Sequence, residues 1–140
     1  MPKQCTILIV EDNPAHQRLT EYILKRHHVD AQFYVVRDGQ EALDYLNRKA
    51  RFSDPADSPL PDIILLDLNL PKRDGREVLR LIKENPLLRD IPVVIVSTSD
   101  REEDVTYAMR IGAVAYISKS SGFDKLNEQL AGIVKYTKVG

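Results

Sequence analysis

The chain has 140 residues, 43% hydrophobic and 29% charged, with a formal net charge of −1. That suits one ordinary globular domain and excludes a disordered or low-complexity protein. It holds no clustered run of Lys and Arg, no apolar stretch near the roughly 18 residues of a membrane span and no signal-peptide pattern, and Cys5 has no second cysteine to pair with. Nucleic acid and membrane are therefore not expected partners, and a cytoplasmic location is expected.

In chain order, short apolar runs alternate with amphipathic stretches, the pattern of repeated strand–helix units around a parallel sheet. Strands are predicted over 6–10, 33–36, 63–66, 93–96 and 113–117. The first, third and fourth are nearly unbroken aliphatic, as for strands covered on both faces; the second and fifth are mixed and read as less buried. After the first strand, Asn13 caps a helix over Pro14–His27 that places Ala15, Leu19, Tyr22 and Ile23 on one face. Three further helices begin with capping-box spacing: Asp38 and Glu41 before Ala42, Leu43 and Leu46; Asp74 and Glu77 before Val78, Leu79 and Ile82; Asp100 and Glu103 before Val105, Ala108 and Met109. Asn85-Pro86 stops the third helix. A fifth, from about 122 to 136, carries Phe123, Leu126, Leu130, Ile133 and Val134 toward the core. Residues 50–61, with three prolines, two serines and two aspartates, read as an extended surface loop inside the domain. A single domain over 1–140 with no output domain is expected.

The chemistry lies where the strands end. Strand one runs directly into Glu11-Asp12, and strand three into Asp67. In an open parallel sheet ligands sit beyond the carboxyl ends of the strands. Three carboxylates there repel one another unless a cation neutralises them, and a hard divalent cation suits oxygen ligands. The fourth strand delivers Ser97 and Thr98 to the same edge, and the fifth delivers Lys119. Singly these are weak signals: Asp12 is as easily a helix cap, and a lone serine or lysine a cap or a solvated charge. Together they form an edge able to host a phosphorylated carboxylate, since phosphoryl transfer needs positioning and charge neutralisation.

This ordered set resembles the receiver domains of two-component response regulators over nearly the whole chain. Glu11-Asp12 matches the acidic pair; Asp67 opens Asp67-Leu68-Asn69-Leu70-Pro71, closed by Asp74-Gly75; Ser97 and Lys119 follow strands four and five. The resemblance implies an α/β, flavodoxin-like, doubly wound sheet of five parallel strands in the order 2-1-3-4-5 with five helices. It implies that Asp67 accepts a phosphoryl group from a sensor histidine kinase, and that the protein is a signalling switch rather than an enzyme. Asp12, Asp67 and the backbone carbonyl of Asn69 would ligate Mg²⁺, with Glu11 acting through a water. Lys119 and Ser97 would contact the phosphoryl group, and Tyr116 would be the switch aromatic that swings inward after Ser97. It further implies kinase docking beside the first helix, with Arg18 and Tyr22 as contacts, and a phosphorylation-enhanced homodimer through the fourth helix, fifth strand and fifth helix.

Two positions depart from the family: Thr98 stands where a very small residue is usual, and Ser120 where a proline, often cis, follows the lysine. The long loop over 50–61 and the strings Ser97-Thr98-Ser99 and Ser118-Lys119-Ser120 resemble the small regulators that partner bacterial and cyanobacterial phytochromes. His16, His27 and His28 read as a solvated helix face. A haloacid-dehalogenase-type phosphatase would want a second acid where Asn69 stands. A flavodoxin-like cofactor binder would want a Gly-, Ser- or Thr-rich loop where Glu11-Asp12 stands. The intact set Asp12, Asp67, Ser97 and Lys119 argues against a degenerate receiver.

Overall fold

Aliphatic side chains on both faces of a strand require cover on both sides, and the sheet receives it. The computed structural model describes residues 5–28, 30–56 and 58–137; Asp57 of the long loop lies outside them. In chain order the elements are β1 (Thr6–Val10), α1 (Pro14–His27), β2 (Gln32–Val36), α2 (Gly39–Asn47), β3 (Ile63–Leu66), α3 (Gly75–Glu84), β4 (Val93–Ser97), α4 (Glu102–Ile111), β5 (Ala115–Ser118) and α5 (Phe123–Ala131). All strands pair in parallel in the order β2-β1-β3-β4-β5. Val10 lies opposite both Val36 and Leu66, and Leu66 opposite Ile95, so β1, β3 and β4 end nearly level. That register carries Glu11, Asp67 and the Ser97 loop to one edge.

Alternation along the strands divides the core in two. Leu8, Val10, Ile64, Leu66, Val93 and Ile95 meet the apolar faces of α2 and α3 with Ala108 of α4. Ile7, Ile9, Ile63, Leu65, Val94 and Val96 meet Ile23 and Leu24 of α1 and Leu126 and Leu130 of α5. Each fully buried aliphatic side chain contributes about 1.5–3 kcal/mol. β2 is an edge strand, and Phe33, Tyr34 and Val35 are only half-buried, as its mixed composition indicated.

Several local expectations need correction. Asp38 and Asp74 cap α2 and α3, accepting from Glu41 N (2.8 Å) and Arg76 N (2.7 Å). Asp100 does not cap α4: the cap position is Arg101, which makes no side-chain cap bond. The fifth helix breaks at Gly132 and resumes as a 3-10 turn over Ile133–Tyr136. Met109 and Phe123 are about half exposed, and Tyr22 more so, because no element packs over those parts of α4, α5 and α1.

The loop over 50–61 is anchored rather than merely on the surface. Phe52 and Ser58 are buried, and Ser58 Oγ donates to Phe52 O (2.8 Å). Tyr45 of α2 packs edge-on against Phe52 and donates its hydroxyl to Pro59 O (2.7 Å). Burial also pushes the Tyr45 phenol pKa well up. Tyr45→Phe is expected to leave that carbonyl unpaired and cost about 1–2 kcal/mol, read as a lower urea midpoint at unchanged slope.

Candidate functional site

The carboxyl edge gathers the residues expected there. Asp67 is buried directly after β3; its N–H donates to Val10 O (3.2 Å), and its Oδ1 accepts from Asn69 N (3.0 Å). Asn69 itself is exposed. Glu11 is buried after β1 and accepts from Asn13 N (3.2 Å), while Gln17 Nε2 donates to its backbone carbonyl (2.5 Å). Asp12, next in the chain, faces solvent. Carboxylate oxygens of Glu11, Asp12 and Asp67 lie within 4.8 Å of one another.

Lys119 reaches across from the end of β5. Its Nζ donates to Glu11 Oε1, to Asp67 Oδ2 (2.9 Å) and to His16 Nδ1 (3.1 Å). Burial raises the Glu11 pKa most; the Asp67 charge adds to this, and Lys119 opposes it. One ammonium among three carboxyl groups leaves negative charge in excess. An all-oxygen donor set with that excess fits a hard divalent cation and does not fit a thiolate- or imidazole-seeking metal.

The chain turns sharply after this lysine. Among the described residues no peptide bond is cis, so Lys119–Ser120 is trans, and Lys119–Ser121 form a 3-10 turn with Ser118 Oγ accepting from Ser120 N (3.3 Å). The two departures from the family pattern touch: Ser120 Oγ donates to Thr98 O (3.3 Å).

A model of the response regulator receiver domain matches residues 7–131 of the chain. The chain belongs to this family. The receiver is 42% identical to "Response regulator Rcp1" of Synechocystis sp. over 130 residues, covering 93% of this chain and 86% of that protein. Its fold is similar to the Mn(2+)-bound form of Rcp1 (TM-score 0.84, 41% identity, 94% of this chain and 92% of that one). It is similar also to the phosphorylated cyanobacterial phytochrome response regulator RcpA (TM-score 0.86, 41% identity, 96% and 94%). It is a receiver of the two-component type, a phosphoacceptor rather than a conventional enzyme. Its acidic triad could hold a divalent cation, and the similar Rcp1 structure is a Mn(2+)-bound form. No described helix is long and apolar enough to cross a membrane.

The receiver's β4–α4 loop is tied down on two sides. Ser97, fully buried at the end of β4, accepts from Ser99 N (3.2 Å), so its hydroxyl is engaged with its own loop. Tyr116 is half-buried and donates its hydroxyl to Ser99 O (2.7 Å). Ser99 Oγ donates to Asp104 Oδ2 (2.5 Å), and Arg76 of α3 donates to Asp104 Oδ1 (2.6 Å). Asp104 is 4% exposed. The Ser99 hydroxyl, then the Arg76 guanidinium, hold its pKa down at about 2.

A carboxyl depressed in the folded state stabilises above its ordinary pKa near 4, and that contribution is lost as pH falls toward 2. Asp104→Asn is expected to cost about 2 kcal/mol at pH 7. Its deficit against wild type should shrink between pH 4 and pH 2, as read by denaturant titrations at each pH.

Two contributions escaped the sequence reading. His16 is partly exposed, but its ring faces Lys119 rather than solvent alone; its place in the first turn of α1, just after the Glu11-Asp12 pair, was the available signal. His27 and His28 bond Asn127 Oδ1 and Leu130 O of α5 (both 3.2 Å) and so join two helices. The Asp104 network was hidden because Arg76 lies 28 residues away in sequence and Asp100 looked like the cap.

Proposed function

We propose that this receiver takes a phosphoryl group onto Asp67 from the phosphohistidine of a sensor histidine kinase. The observation that carries the proposal is the buried Asp67 carboxylate, 2.9 Å from Lys119 Nζ and clustered with Glu11 and Asp12. In the transfer the histidine N–P bond breaks and an Asp67 O–P bond forms. Asp12 and Asp67 would hold Mg²⁺ directly, with the carbonyl of Asn69. Glu11, whose Oε1 is taken by Lys119, would act through a water. When bound, Mg²⁺ supplies charge neutralisation for the carboxylates and the phosphoryl oxygens.

Lys119 exchanges its bond to Asp67 for one to the phosphoryl group. Ser97 turns its hydroxyl from Ser99 N to the same group, and the loop it draws inward carries Ser99 and, through it, the Tyr116 hydroxyl. Such a switch works only if a partner binds one state better than the other. The proposed output is a phosphorylation-enhanced homodimer through α4, β5 and α5. The likeness to RcpA supports a phytochrome as the kinase, docked beside α1 where Arg18 and Tyr22 are exposed, in the cytoplasm.

Beryllofluoride, which mimics the acyl phosphate, tests this without a kinase. With Mg²⁺ it is expected to shift the sedimentation coefficient toward a dimer, and at about 100-fold excess over its Kd to stabilise the fold by about 2.7 kcal/mol. No stabilisation would overturn the phosphoacceptor reading; stabilisation without a change in sedimentation would overturn only the dimer.

A further inference from the structure

Lys119 is buried among acceptors, its side chain only 8% exposed. An ammonium has three N–H donors and no acceptor. Here all three are placed: on Glu11 Oε1, on Asp67 Oδ2 and on His16 Nδ1. Two of these partners belong to the acidic cluster. His16 is not one of its acids, although its Nδ1 also lies 3.8 Å from Glu11 Oε1. Its backbone is fixed at the start of α1, where Asn13 Oδ1 accepts from Ala15 N (2.9 Å) and His16 N (3.2 Å). Since Lys119 can only donate, His16 Nδ1 must accept, which puts the ring proton on Nε2.

We infer that His16 is a positioning residue for phosphoryl transfer: its Nδ1 holds the Lys119 ammonium beside Asp67 while Lys119 exchanges the Asp67 carboxylate for the incoming phosphoryl group. The inference rests on the reading of Asp67 as the acceptor. No proton moves in this exchange; one Lys119 N–H changes acceptor, from Asp67 Oδ2 to a phosphoryl oxygen, while its bond to His16 is kept. Phosphoryl transfer draws its rate from such placement, and a charged donor left loose loses part of it.

The test uses the full chain with acetyl phosphate and Mg²⁺. His16→Leu, which keeps bulk but removes the acceptor, is expected to label about tenfold more slowly, the loss falling on the maximal rate rather than on half-saturation. His16→Asn places an amide oxygen where Nδ1 stood and is expected to recover the rate to within about threefold. A second readout needs neither Mg²⁺ nor phosphate: ¹⁵N chemical shifts of the His16 ring should report the Nε2–H tautomer in wild type, with the preference lost in Lys119→Met. Equal labelling of wild type and His16→Leu would overturn the inference. So would failure of His16→Asn to recover, or an Nδ1–H tautomer. If wild type does not label at all, the reading of Asp67 falls instead, and the tautomer alone decides whether His16 holds Lys119.

Discussion

Asp67→Asn is expected to remain folded and to lose labelling by acetyl phosphate and Mg²⁺ to background, a drop of at least about a hundredfold. A carboxylate attacks phosphorus as an anion; an amide has neither the charge nor the lone-pair availability. Nothing nearby replaces it. Glu11 is held by Lys119 and Asn13, and Asp12 is exposed and lacks the lysine. The fold should not suffer, because the change removes one of three clustered acids and leaves Lys119 on Glu11 and His16. Without Mg²⁺ the variant should melt at or above wild type, since like charges no longer crowd the edge. The stabilisation that wild type gains from Mg²⁺ should largely vanish. Intact-mass spectrometry and thermal melts with and without Mg²⁺ check both halves. A variant labelled at the wild-type rate would mean that another residue accepts the phosphoryl group.

The second large effect is structural and lies eight residues on. Gly75 opens α3 with its N–H on Leu68 O (3.0 Å), and its α-carbon faces the backbone of the Asp67 loop. A methyl group there would overlap the Asp67 carbonyl oxygen and come within 2.6 Å of Leu68 Cα. Backbone atoms cannot swing aside as a side-chain end can. Gly75→Ala is therefore expected to push the loop off the sheet edge and cost about 2–3 kcal/mol. The same shift moves Asp67 relative to Glu11 and Asp12, so Mg²⁺ affinity should fall about tenfold, because a fixed ligand set tolerates little displacement. A urea midpoint and a Mg²⁺ titration followed by thermal shift measure the two. Gly122→Ala is the control: Gly122, unlike Gly75, has a positive φ (98°), but a methyl group there meets no atom within 4 Å, so it should carry only backbone strain of about 1–2 kcal/mol and leave Mg²⁺ binding intact.

The features legible in the sequence are those whose cause is local or repetitive. Runs such as 63–66 and 93–96 announced buried strands because apolar cover on both faces leaves no polar alternation. The acids, Ser97 and Lys119 were legible as a site because parallel strands all deliver their carboxyl ends to one edge. What escaped depends on partners distant in the chain. Periodicity placed Phe123, Met109 and Tyr22 on apolar stripes, but whether a neighbour covers a stripe is decided by packing, and these three remain exposed. Asp100 has cap spacing, yet the buried acid of that turn is Asp104, selected by Arg76 from α3 and by Ser99. Gly132 ended α5 early because its own preference outweighs the apolar pattern that continues through Ile133. The departures at Thr98 and Ser120 were visible singly; their contact across the two loops was not.

The most direct test of the central claim locates the acyl phosphate itself. After incubation with Mg²⁺ and a phosphorylated histidine kinase of the phytochrome type, the receiver is reduced with borohydride, digested and sequenced by mass spectrometry. Asp67, and no other acid, is expected to be converted to homoserine in proportion to the label transferred. Homoserine at Asp12 or elsewhere, or label that survives without any reducible carboxyl phosphate, would contradict it.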